Sequence, residues 1–148
     1  MTRLLPPFLF AGLLVPLVLL WSLHPIEVQR PFDLRVPPWD VPLILGAALL
    51  IAGRLQFRRN NSEIHTFATP RNLVTSGIFR FTRNPMYLGF ALVLFGGALY
   101  VNFWCAYLVP LVFIAAANWW YIPAEERNLR AAFGNDYAAY TSRVRRWI

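Results

Sequence analysis

The sequence predicts an all-α polytopic integral membrane protein, about four transmembrane helices followed by cytoplasmic amphipathic helices. Three observations carry that expectation. Of the 148 residues, 57% are hydrophobic and only 14% charged, against about a quarter charged in soluble domains. The apolar residues fall in runs long enough to cross a bilayer. The arginines lie beside those runs instead of along a polar face. A soluble single domain of this length could not cover so much apolar surface, because small domains leave a large share of their surface exposed. One membrane domain over residues 1–148 is therefore expected, with spans at about 6–23, 41–57, 86–101 and 103–122 and a tail at 123–148.

The first run begins just after Arg3, as a secretion signal would. It is long, however, carries Pro6, Pro7 and Pro16, and ends at Trp21-Ser22-Leu23-His24 without a small-x-small cleavage site, so a retained helix is expected. The second run follows Pro37-Pro38-Trp39-Asp40 and is short unless it extends through Phe57 to Arg58 and Arg59, with Arg54 snorkelling at the interface. Residues 86–122 are almost continuously apolar, nearly twice the roughly 20 residues of one crossing. A helical hairpin turning near Asn102 resolves that excess. Past Ile122, Pro123-Ala124-Glu125-Glu126 reads as a fresh helix start, with acids where the helix dipole favours them. Gly134-Asn135 can end that helix, and Asp136 can open another bearing Tyr137, Tyr140 and Val144.

The net charge of +7 is carried by arginine alone, with no lysine in the chain. Arg54, Arg58, Arg59, Arg71, Arg80 and Arg83 lie between the second and third runs, and Arg127, Arg130, Arg143, Arg145 and Arg146 follow the fourth. The loop after the first run holds only Arg30 and Arg35, offset by Glu27, Asp33 and Asp40. The positive-inside rule then puts both termini and the Arg54–Arg83 loop in the cytoplasm, and the lysine-free composition suggests a bacterial inner membrane. Nucleic acid is not expected as a partner, because the cations follow membrane topology. A lone cysteine, Cys105, excludes an intrachain disulfide framework and a cysteine-cluster metal site. The four apolar runs hold no ionisable residue in their interiors, which disfavours an ion-coupled transporter.

Polar chemistry gathers in two places, both on the expected cytoplasmic side. One is the block from Leu73 to Gly89, Leu-Val-Thr-Ser-Gly-Ile-Phe-Arg-Phe-Thr-Arg-Asn-Pro-Met-Tyr-Leu-Gly. There Asn84 is placed to cap a helix starting at Pro85, whose free amides suit an anion. The other is Glu125-Glu126-Arg127-Asn128-Leu129, then Phe133-Gly134 and Tyr137 and Tyr140. Two neighbouring carboxylates at a helix exit can hold a pair of ligand hydroxyls or simply oppose the helix dipole. Spacing alone leaves both readings open.

The two motifs in this order, with an apolar hairpin between them, resemble the isoprenylcysteine carboxyl methyltransferase family, whose wider group includes membrane phospholipid N-methyltransferases. The resemblance spans about residues 70–146. It implies methyl transfer from S-adenosylmethionine to a lipid or lipid-modified acceptor arriving from the bilayer, by isoprenylcysteine-type carboxyl methylation or similar. The alternatives are a phospholipid or small-lipid N-methyltransferase and a non-catalytic membrane scaffold or transporter. It also implies a cytoplasmic-side cofactor pocket formed by Leu73, Val74, Phe79, Asn84, Pro85, Met86, Tyr87 and Glu125, with Arg83 and Tyr121 on the substrate side and no metal. Two departures stand out. Eukaryotic members carry His where this chain has Asn84, which cannot titrate. Their substrate-binding Arg, four residues before the equivalent of Glu125, is Tyr121 here, so a carboxylate acceptor would need Arg127, Arg83 or Arg80 instead. His24 and His65 lie away from the motifs, which favours an acceptor needing no dedicated base.

Overall fold

In the computed structural model, residues 5–23, 39–59 and 72–148 are described, and among them the regular structure is helical with no strand. The loop arginines Arg30, Arg35 and Arg71, and both histidines, lie outside the described residues. Helix α1 is Pro6–Leu23, α2 Asp40–Arg59, α3 Pro85–Val101, α4 Leu108–Ala116 and α5 Ile122–Thr141. Short 3-10 turns, Gly77–Arg80 and Trp104–Tyr107, precede α3 and α4, and a π-helical segment, Ala117–Tyr121, joins α4 to α5. Three stretches are long and apolar enough to cross a membrane, Pro6–Leu23, Asp40–Arg59 and Trp104–Thr141, and the 17-residue α3 is a shorter apolar helix. Outward-facing Val18, Leu19, Ile44, Ile51, Leu111 and Val112 are more than half exposed, as expected where lipid is the solvent.

Helices α2 and α3 make the most extensive contact. Leu43 meets Gly96, Gly46 meets Gly89, and Gly53 meets Met86. The partner number falls as the α2 number rises, so the pair is antiparallel. Small residues seven apart on each helix let the backbones approach: a Cβ on Gly46 would stand 2.7 Å from the Gly89 carbonyl oxygen. Close backbone approach is the usual way membrane helices gain contact, since lipid removes the hydrophobic drive between them. Helix α1 packs against α3 and α4. Its buried Leu17 joins a core with Leu94, Ala98, Ala106, Phe113 and Ala117.

The hairpin turns where expected. Asn102 adopts a left-handed conformation (φ 49°) and its amide closes α3 on the Ala98 carbonyl, a standard helix stop. At this end Trp21 and Trp39 both approach Tyr100, at 6.4 and 5.6 Å between rings, an aromatic belt typical of a membrane boundary. The opposite end gathers the last turns of α2, the start of α3 and the start of α5.

Pro123 does not begin a new helix. The chain remains helical from Leu108 through Thr141, and the π segment lies immediately before the proline. Proline removes one backbone hydrogen bond and crowds the carbonyl four residues back, here Trp119 inside the wider π turn, where the ladder is already reset. Gly134 does interrupt α5, with φ 47° and ψ −115°.

Gly77 is also held at positive φ (61°), and a Cβ there would stand 2.7 Å from Gln56 Oε1, whose amide nitrogen donates to Ser76 Oγ at 2.7 Å. Gly77→Ala is expected to cost about 1–2 kcal/mol for the left-handed backbone plus the displaced Gln56. The check is thermal unfolding in detergent, where its Tm should fall further than that of Gly12→Ala, which meets nothing within 4 Å.

Candidate functional site

The start of α3 and the start of α5 come together through one hydrogen bond. Tyr87, in the first turn of α3 and only 5% exposed, donates from its hydroxyl to Glu125 Oε1 at 2.9 Å. The residues are 38 apart in sequence, and the hairpin returning across the bilayer is what joins them. One turn before Glu125, Tyr121 lies nearly parallel to Tyr87, with ring centroids 6.3 Å apart and planes at 24°. Tyr121 is fully buried, and its hydroxyl has no hydrogen-bond partner among the described residues. Phe113 continues the aromatic wall, 6.5 Å from Tyr87, and Phe90 meets Phe113 at 5.8 Å. The result is an aromatic column in the bundle with a carboxylate at one end and an unsatisfied phenol beside it. Buried polar atoms normally find partners, and the Tyr121 hydroxyl and Arg83 Nε stand without one among the described residues.

Glu125 and Glu126 do not act as a pair. Successive helical residues point about 100° apart, and here they serve different networks. Glu126, 8% exposed, accepts Arg146 on both oxygens (Nη2 to Oε2 2.7 Å, Nε to Oε1 3.2 Å) and Arg83 Nη1 on Oε1 at 3.2 Å. Arg83 also reaches the Tyr137 hydroxyl at 3.5 Å, while its Nε is buried without a partner among the described residues. Arg83 is thus turned toward the tail.

Asn84 stands at the N-cap of α3, but its side chain makes no cap bond. It donates instead from Nδ2 to the Arg146 carbonyl at 2.9 Å, while its amide donates to Thr82 Oγ1 at 3.1 Å. The cap expected from the sequence does not form, and the side-chain amide is turned to the Arg146 carbonyl instead. Pro85 is fully buried, and Met86 packs against Gly53.

The remaining candidates form the tail's packing. Leu73 packs on the Tyr137, Tyr140 and Val144 cluster. Phe79 is 5% exposed, meets Phe57 edge-on at 5.2 Å, and offers its carbonyl to the Tyr140 hydroxyl at 2.7 Å. Val74 is buried nearby in sequence. On this tail, burial pushes the Tyr137 and Tyr140 phenols upward; the Tyr140 hydroxyl donates to Phe79, while that of Tyr137 accepts from Arg83. Asn118 and Arg146 were not legible as site-shaping residues: one looked like part of an apolar run, the other like a topology arginine.

Across the end of the bundle, an apolar groove of about 560 Å³ opens between α2, the 3-10 turn before α3, and the chain end, lined by Leu49, Ile78, Phe81, Thr82, Leu88 and Ile148. Among the described residues no cluster of His, Cys, Asp and Glu could hold a metal.

Comparison with known proteins adds three findings. The model of a family described as phospholipid methyltransferase matches residues 41–136, more than half of the chain and inclusive of Tyr87, Tyr121 and Glu125. A protein of Haemophilus influenzae described as uncharacterized is 36% identical over 63 residues, which is 43% of this chain and the whole of that one. No solved structure matches.

Proposed function

Because the chain belongs to the phospholipid methyltransferase family, we propose that it transfers a methyl group from S-adenosylmethionine to a membrane lipid. The observation that carries this reading is the 2.9 Å Tyr87–Glu125 bond, which joins the two polar motifs at one end of the bundle. The donor set suits the cofactor. Glu125 can accept from a ribose hydroxyl or an amino group. The aromatic faces of Tyr87 and Tyr121 can meet a cation. The Met86 and Tyr87 amides in the first turn of α3 can hold a carboxylate.

S-adenosylmethionine, when bound, supplies a methyl group on a sulfonium. The protein's share is then to align the acceptor in line with that methyl and to exclude water, a contribution of several kcal/mol from orientation alone. Tyr87 and Tyr121 wall the site, Tyr121 offers its unsatisfied hydroxyl to the acceptor head, and the groove along Leu49 and Leu88 can take an apolar chain. Of the arginines that could meet an anionic head, Arg83 is engaged by Glu126, while Arg80 and Arg127 are exposed. The family description supports a phospholipid amine as acceptor over a prenylcysteine carboxylate, and that amine must lose its proton before it reacts. The arginine-rich end, read by the positive-inside rule, supports a site on the cytoplasmic side of the membrane.

The test uses the purified protein in detergent. Calorimetry should show binding of S-adenosylhomocysteine, and a methyl-labelled donor should place base-stable label in the lipid fraction when aminophospholipid is supplied. Absence of any binding would overturn the cofactor reading. Label recovered as a base-labile ester would overturn the amine acceptor and restore the carboxyl one.

A further inference from the structure

After α5 the chain turns back over the start of α3. The Arg83 amide donates to the Arg145 carbonyl at 3.1 Å, and the Arg146 carbonyl accepts from Thr82 Oγ1 (3.3 Å) and Asn84 Nδ2 (2.9 Å). The same Arg146 sends its guanidinium the other way. It grips Glu126 through two bonds and donates from Nη1 to Asn118 Oδ1 at 3.2 Å. Asn118 lies in the π segment three residues before Tyr121, and Glu126 follows Glu125. One side chain therefore bridges two turns of helix that bracket both site residues, across the stretch whose backbone ladder is reset by the π turn and Pro123. Its own carbonyl meanwhile holds the peptide leading into Tyr87.

We infer that Arg146 is a positioning residue for the cofactor site: it splints the π segment and ties it to the entry of α3, setting the separation of Tyr87 from Tyr121 and Glu125. The inference rests on the methyltransferase reading. A planar guanidinium is needed, because a fork can serve a carboxylate bidentately and still reach an amide, whereas an ammonium acts as a single point. Arg83 remains as a counter-ion when Arg146 is removed, so Glu126 keeps a partner and the helices stay assembled while the site loosens.

The experiment measures S-adenosylhomocysteine affinity and S-adenosylmethionine KM for Arg146→Ala, Arg146→Lys and Leu129→Ala. The last loosens the tail's apolar packing without touching the splint. Arg146→Ala is expected to weaken binding and raise KM by about 10- to 100-fold, as misplacement of site groups does, with kcat at saturation changing less. Arg146→Lys should fall between it and wild type. Leu129→Ala should lower Tm with KM unchanged. Wild-type affinity in both Arg146 variants overturns the inference, as does an equal loss in Leu129→Ala at equal Tm. If Arg146→Ala does not fold, Arg146→Lys carries the comparison. Failure of the unsubstituted protein to bind S-adenosylhomocysteine would instead sink the cofactor reading beneath it.

Discussion

Glu125→Ala is expected to lose S-adenosylhomocysteine binding by about 30- to 1000-fold while remaining folded. Glu125 is half-buried and meets Tyr87 at 2.9 Å, and losing a carboxylate's hydrogen bonds to the cofactor while leaving the Tyr87 hydroxyl unpaired costs about 2–4 kcal/mol. Tyr87→Phe keeps the ring and removes only the hydroxyl, so about 1.5–3 kcal/mol is expected from a bond to a charged group. Tyr121→Phe separates stability from function most clearly. Its hydroxyl is buried with no partner among the described residues, so its removal should leave Tm unchanged or raise it. If that oxygen meets the acceptor head, turnover should fall all the same. Calorimetry, thermal unfolding and methyl transfer on the three variants check the set. Undiminished binding in Glu125→Ala would place the cofactor elsewhere.

The second large effect lies in the helix seam. Gly89→Leu and Gly46→Leu are expected to abolish the monodisperse folded protein, and Gly89→Ala to destabilise it by about 1–3 kcal/mol. A Cβ on Gly89 would stand 2.9 Å from the Gly46 carbonyl oxygen, backbone that cannot rotate away as a side chain can. Gly12→Leu on α1, where nothing lies within 4 Å, is the matched control and should purify normally. Size-exclusion profiles in detergent decide the matter. A normal profile for Gly89→Leu would mean that α2 and α3 do not pack through this stripe.

Much of the architecture was legible. Run lengths and the break at Asn102 foretold the helices and the hairpin, because a bilayer admits few alternatives to a helix. The site was legible as two motifs, but their division of labour was not. Glu125 and Glu126 look equivalent on paper, yet one meets Tyr87 and the other Arg83 and Arg146. Asn84 had the composition of a cap, and the chain end claimed it. Pro123 looked like a beginning because proline favours first turns, and the π segment that lets α4 run through it has no signature in residue type.

The residues by themselves determined a lipid-solvated helical chain and the two polar segments that a membrane hairpin returns to one end. Hydrophobic length and glycine or asparagine at turns act locally, so they can be read locally. Only the tertiary structure decided which carboxylate meets Tyr87, where the arginines point, and that Arg146 joins Glu126 to Asn118. Those depend on helix phase, which one π turn shifts, and on contacts between residues dozens of positions apart.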